Sequence, residues 1–357
     1  MLVVPDTNLC QAMQDDIVMS QKNKKEWYSR EKTFSAFMLG SLIDFWQRRQ
    51  EGELLGVGGV LLRFVRFCAP GNHRVVVVSP GRGENYVKYA EVAYDLFHSG
   101  FDVLIIDHRG QGRSGRMLSD PHRGHVDNFN DYVDDLTAFW QQEVLPGPWK
   151  KRYILAHSMG GAIATLFLQR HPNQCDAIAL CAPMFGIVMR FPDWMVRHIL
   201  DWAEGHPRFR EGYAMGTGRW RALPFGMNTL THSRQRYRRN LRFYADEPRL
   251  RVGGPTYHWV REGILAGEQV LAGAGDDATP TLLIQAEEER VVDNRMHDRF
   301  CELRAAAGHP VEGGKPLVIK GAYHEILFEK DEMRSVALNA IVEFFDKHNS
   351  SSGNRFA

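Results

Sequence analysis

Tyr153-Ile154-Leu155-Ala156-His157-Ser158-Met159-Gly160-Gly161-Ala162-Ile163-Ala164-Thr165-Leu166-Phe167-Leu168 decides how this chain folds. Tyr153-Ile154-Leu155 reads as the end of a buried strand. The run from Gly160 to Leu168 reads as a helix packed closely on it. Ser158 falls at the corner between them, where a strained turn exposes a serine hydroxyl. Strand and helix approach closely at such a corner, so its neighbours must be small, in the pattern G-x-S-x-G. The chain departs at the first position, where Ala156 replaces glycine but is still small. The plain alternative is a serine that stands between strand and helix by chance, and residues elsewhere weigh against it.

A serine hydroxyl needs a base to take its proton and a third group to orient that base. In strand-to-helix corner enzymes the chain order is serine, then an acid, then histidine. That order is present. Thr281-Leu282-Leu283-Ile284-Gln285-Ala286 reads as a buried strand, and Glu287-Glu288-Glu289-Arg290-Val291-Val292-Asp293 follows it. Pro316-Leu317-Val318-Ile319 is another short strand, and Lys320-Gly321-Ala322-Tyr323-His324-Glu325 follows that one. His324 therefore stands just past a strand end, where a catalytic base belongs. Attack also creates an oxyanion that needs backbone N–H donors. Met159, the residue after the serine, supplies one. The loop after an early strand supplies the other. Arg74–Ser79 is that strand and Pro80-Gly81-Arg82-Gly83-Glu84-Asn85 is the loop, with Arg82 N–H as the donor.

These residues resemble the monoglyceride-lipase-like branch of the α/β-hydrolases. Val103-Leu104-Ile105-Ile106-Asp107-His108-Arg109-Gly110-Gln111-Gly112-Arg113-Ser114-Gly115 is similar to the strand and loop before the nucleophile in that branch. Gly124-His125-Val126 through Phe129, with Asp131-Tyr132-Val133-Asp134-Asp135-Leu136, resembles its next helix, and Gly321-Ala322-Tyr323-His324 its histidine loop. The resemblance extends from about residue 25 through nearly the whole chain. It includes Thr217-Gly218-Arg219-Trp220-Arg221-Ala222-Leu223-Pro224, a segment shared in particular with bacterial inner-membrane lysophospholipases. Carried over residue by residue, it makes Ser158 the nucleophile, His324 the base and Glu289 the acid, where most relatives place aspartate. Glu288 and Asp293 are rivals in the same loop. Pro80 stands where relatives usually have histidine, a change that leaves the backbone donor of Arg82 in place.

The chain has 357 residues, enough for one α/β domain with a substantial insertion. Its apolar content of 44% supports a sizeable core, and a formal net charge of +1 argues against a global nucleic-acid-binding surface. The 5 cysteines are scattered without a C-x-x-C pair, which indicates neither a zinc site nor a disulfide framework and suits a reducing compartment. No run approaches the roughly 20 apolar residues of a membrane span. Leu2-Val3-Val4 is too short for a secretory core. Met19 is a plausible alternative start to Met1, which would make residues 1–18 a disordered extension.

Periodicity divides the chain. Residues 1–50 form an N-terminal extension and a helical lead-in rich in aromatics. Strands alternate with helices from about 60 to 183, which implies a mostly parallel central sheet with helices on both faces. The alternation stops after Ala182-Pro183 and resumes at 281. The expected core is therefore 51–186 with 279–348. A helical cap, or lid, at 187–278 is inserted before the acid-bearing strand, and 349–357 is a flexible tail. In the cap, Met184, Phe185, Ile187, Val188, Met189, Phe191, Trp194 and Met195 form an apolar stretch suited to an acyl chain, or simply to core packing. A basic stretch follows with Arg234, Arg236, Arg238, Arg239 and Arg242. Arg234, Arg238 and Arg242 would share one helix face. That face would be solvated, or would meet anionic lipid or a substrate phosphate.

The expectation is a serine carboxylic-ester hydrolase without metal or organic cofactor. The resemblance adds a lysophospholipid or other monoacyl lipid as substrate. It implies a cytoplasmic enzyme in peripheral contact with the anionic inner face of the bacterial inner membrane. Alternatives are a monoacylglycerol lipase or general esterase, acyl transfer to a lipid alcohol, and a catalytically dead lipid-binding scaffold. The complete nucleophile, acid and base weigh against the last.

Overall fold

The structure is a computed structural model and describes residues 27–349. The alternative start at Met19, the extension before it, Cys10 and nearly all of the expected tail lie outside those residues. Eight strands form one sheet: β1 (Gln50–Leu55), β2 (Leu61–Phe67), β3 (Arg74–Ser79), β4 (Asp102–Asp107), β5 (Lys151–His157), β6 (Ala177–Cys181), β7 (Thr281–Ala286) and β8 (Leu317–Ile319). The longer helices are α1 (Phe34–Leu39), α2 (Ser41–Gln47), α3 (Ala90–Phe97), α4 (Phe129–Phe139), α5 (Met159–Arg170), α6 (Asp193–Glu204), α7 (Arg234–Asp246), α8 (Tyr257–Ala272), α9 (Asn294–Ala306) and α10 (Asp331–Lys347).

The sheet order is β1-β2-β4-β3-β5-β6-β7-β8. From β4 to β8 every neighbouring pair is parallel, while β1 and β2 are antiparallel to their neighbours. Every residue of β4, β6 and β7 is buried, which requires helical cover on both faces. Val75, Val76, Val77 and Val78 of β3 are wholly buried at the centre. Each such valine contributes roughly 1.5–3 kcal/mol by leaving water. The expected α/β architecture is thus present, with one strand more than the sequence reading contained. β1 is a polar edge strand with a single buried residue, Leu54, so it carries no alternation to read.

β5 ends beside β3 and β6, pairing Ser79 with Ala156 and His157 with Cys181. α5 then starts so close to β3 that a Cβ on Gly160 would stand 2.1 Å from the Ser79 carbonyl oxygen. Ala156 is wholly buried at the same corner and fits there. The segment between β6 and β7 carries α6, α7 and α8. α8 lies against α4 and α5, so the later part of the insertion is fused to the core. An antiparallel bridge from Ile187 to Val292 ties the start of the insertion to the loop after β7. Among the described residues, no helix is long and apolar enough to cross a membrane.

Candidate active site

Ser158 has φ 52° and ψ −120°, a backbone conformation that a serine adopts only when its surroundings force it. They do so through the backbone. Ser158 N–H donates to the Cys181 carbonyl at 3.1 Å, and Ser158 C=O accepts from Gly161 N–H and Met184 N–H, each at 2.9 Å. The hydroxyl stands 2.9 Å from His324 Nε2. His324 Nδ1 stands 2.8 Å from Glu289 Oε2. The other oxygen of Glu289 accepts from the N–H groups of Arg290 at 2.9 Å and Val291 at 2.7 Å. Burial opposes ionisation of Glu289, but the His324 contact and those backbone donors outweigh it and hold the carboxyl below its usual range. An ionised carboxylate only accepts, so His324 carries its proton on Nδ1 and turns a bare Nε2 toward the serine.

The rival acids have other partners. Glu288 is exposed and reaches the histidine loop only through its backbone N–H, which donates to the Ala322 carbonyl at 3.0 Å. Asp293 caps α9 by accepting from Arg295 N–H at 3.0 Å, and its carboxylate pairs with the Arg295 side chain at 2.7 Å. In the loop after β3, Gly81 N–H donates to Glu84 at 2.6 Å and Gly83 N–H to Gln111 at 3.0 Å. A Cβ on Gly81 would be 3.1 Å from that of Ser158, so this loop lies against the serine. Among the described residues, the N–H groups of Arg82 and Met159 donate to no backbone carbonyl.

A cavity of about 460 Å³ opens from Ser158 and His324 beneath the insertion. Met184, Ile187, Val188, Met189 and Phe191 of the apolar stretch line it, with Leu200 of α6. Phe185 instead packs in the core against Phe300, with ring centroids 4.5 Å apart, and Trp194 is exposed on the surface. The stretch thus divides among the three roles of cavity wall, core and surface.

A family model described as serine aminopeptidase, S33 (Hydrolase_4) matches residues 70–331. The chain belongs to the Hydrolase_4 family. It is 78% identical over 334 residues to lysophospholipase L2 of Escherichia coli K12, covering 94% of this chain and 98% of that protein. It is 31% identical over 322 residues to the probable lysophospholipase L2 of Haemophilus influenzae, covering 89% and 98% of the two chains. The crystal structure of a Paleococcus ferrophilus monoacylglycerol lipase superposes with a TM-score of 0.62 at 21% identity, over 81% of this chain and 99% of that one, which shows the shared fold.

The basic stretch of the insertion divides in two. Arg234, Arg238 and Arg242 are exposed along one face of α7. Arg234 stacks on Phe225 at 4.8 Å, and Arg242 reaches Asp246 at 3.6 Å. Arg236 and Arg239 are buried on the opposite face, donating to Glu91 of α3 at 2.8 and 3.0 Å. Arg236 also holds Asp331, the first residue of α10, at 2.8 Å. Sequence reading grouped all five as one basic stretch, and the structure makes two of them a latch between the insertion and the core. Sequence reading also missed a second histidine–carboxylate pair directly behind the first. His157 Nδ1 stands 2.9 Å from Glu84, and its Nε2 stands 3.1 Å from the backbone oxygen of His324. Lys88 joins Glu84 at 2.8 Å to Glu325 at 2.6 Å. The signal available in the sequence was the position of these residues: Glu84 follows the glycine-rich turn, and His157 precedes the serine.

Proposed function

We propose that this chain is a lysophospholipase, a serine carboxylic-ester hydrolase that frees a fatty acid through an acyl-serine intermediate. The observation that carries the chemistry is the Ser158–His324–Glu289 relay opening into an apolar cavity. The similarity to lysophospholipase L2 over nearly the whole chain supports the substrate class. Ser158 Oγ attacks the acyl carbon while its proton passes to His324 Nε2. Glu289 steadies the imidazolium. The N–H groups of Arg82 and Met159 receive the oxyanion. The glycerol oxygen leaves with the proton from His324. Water, deprotonated by the same nitrogen, then attacks the acyl-serine and releases the fatty acid. These steps need no metal or organic cofactor.

The acyl chain occupies the cavity beneath the insertion, where methionines adapt to an irregular apolar ligand. Peripheral contact with an anionic bilayer is supported by apolar side chains left exposed on the insertion, among them Val188, Phe191, Trp194 and Met227. Arg234 stacks on Phe225 of the segment that carries Met227, and such cations draw a surface to anionic lipid. The inner face of the bacterial inner membrane is the corresponding location.

A release assay tests the reading. Lysophosphatidylethanolamine, monoacylglycerol and a short nitrophenyl ester are compared at equal concentration. The lysophospholipid is expected to be cleaved with the highest kcat/KM. Preference for monoacylglycerol would overturn the substrate assignment, and labelling of Ser158 by a fluorophosphonate would still report the serine chemistry.

A further inference from the structure

Buried arginines in this protein pair with carboxylates: Arg30 with Asp95, Arg109 with Asp135, Arg236 with Glu91 and Arg334 with Asp95. Arg304 has no such pair, but backbone carbonyls of His309, Asp277 and Thr279 take its donors. Arg82, which is half-buried, fits neither pattern. Its Nη1 donates to the Gly253 carbonyl at 2.8 Å, and its guanidinium lies over the Trp259 ring at 5.5 Å. Among the described residues no carboxylate pairs with it. Its remaining donors have no protein acceptor, yet they are not sealed away, and the residue lines the same cavity as Ser158. Burial lowers its pKa. The two carboxylates that share the cavity wall do not compete for an anion's place. Glu84 and Glu325 are both held by Lys88.

We propose that the Arg82 side chain binds the phosphodiester of the lysophospholipid head group. The proposal rests on the lysophospholipase reading above. Guanidinium donors in a fork match phosphate oxygens better than any other side chain does. The spacing fits too. In the proposed mechanism the backbone N–H of Arg82 receives the ester oxygen, and its guanidinium stands one side-chain length away. In a lysophospholipid the phosphate stands one glycerol unit from the ester. A single residue thus spans ester and phosphate, and a neutral monoacylglycerol makes only the first contact.

The test compares palmitoyl lysophosphatidylethanolamine with palmitoylglycerol, each in the same detergent micelles, for the wild type, Arg82→Gln and Arg82→Lys. A charged hydrogen bond lost from the head group predicts that Arg82→Gln lowers the lysophospholipid-to-monoacylglycerol ratio of kcat/KM by about 10- to 100-fold. Most of that fall should appear in KM, because the contact is present in both ground and transition states. Arg82→Lys should keep part of the ratio. Melting temperature and fluorophosphonate labelling report whether each variant folds with a reactive serine. If Arg82→Gln does not fold, the ratio in Arg82→Lys decides, and it must fall by about threefold or more. Equal losses on both substrates would overturn the phosphate site alone. A wild type that cleaves monoacylglycerol but not lysophospholipid would overturn the activity reading together with it.

Discussion

Two histidine–carboxylate pairs lie back to back in this protein, and their difference lies in what the second nitrogen faces. His324 is held by Glu289 on one side and turns Nε2 to the Ser158 hydroxyl. His157 is held by Glu84 and turns Nε2 to a backbone carbonyl, that of His324 itself. A hydroxyl can give up a proton, and a carbonyl can only accept one. His324 can therefore act as a base. His157 faces an acceptor at each nitrogen and is satisfied only as the imidazolium. Burial works against that charge, but Glu84 outweighs it and raises the His157 pKa above the usual value. Glu84, opposed by burial, is held well below its own usual range by Lys88 and His157. In the proposed mechanism the outer pair does the proton transfer, while the inner pair ties the loop after β3 to the histidine loop.

The largest effect is expected at the nucleophile of the outer pair. Ser158→Ala is expected to lower kcat by about 10³-fold or more while both histidine pairs stay intact. Turnover close to wild type in a folded Ser158→Ala protein would discard the outer pair as a catalytic relay. Glu289→Gln comes next, with an expected loss of about 10²- to 10³-fold, because the amide cannot fix the Nδ1 proton or steady the imidazolium. Glu288→Gln and Asp293→Asn serve as comparisons and should lose far less. A crippled Asp293→Asn beside an active Glu289→Gln would reassign the acid.

The inner pair should give a smaller loss of a different kind. His157→Gln is expected to cost about 10- to 100-fold in kcat through loosened positioning. It should also change the pH dependence of stability. A pKa raised in the folded state gives stability that is fully present below the unfolded value of about 6.5 and is lost as pH rises through the folded value. The wild type should therefore lose melting temperature over that alkaline window, and His157→Gln should lose less. Parallel melting curves against pH for the two proteins would show that His157 is not charged. Reversal of Arg234, Arg238 and Arg242 to glutamate should have the smallest effect. Each exposed arginine contributes about 1 kcal/mol at an anionic surface, fading with salt. Binding to anionic vesicles and turnover of vesicle-borne lysophospholipid should weaken more than hydrolysis of a soluble short ester. Equal loss on both would make these arginines structural.

The sequence by itself determined what is local along the chain. Runs such as Val75–Val78 and Tyr153–Leu155, each followed by a helical stretch, are legible because apolar periodicity spans only a few residues. The serine corner is legible for the same reason, since small residues must flank it within five positions. β1 escaped because an edge strand that buries one residue needs no apolar pattern. The tertiary structure alone decided which of several neighbouring acids meets His324, since Glu288, Glu289 and Asp293 are alike in sequence and only Glu289 lies within 2.8 Å of it. It also decided that α7 has a buried arginine face, because the partner carboxylate Glu91 stands 145 residues away. Arg82 is the sharpest case. Its expected backbone role rests on its place in a glycine-rich turn, but its side chain meets Gly253, 171 residues further on. Charge partners separated by such distances leave no periodicity behind, and only the folded chain brings them together.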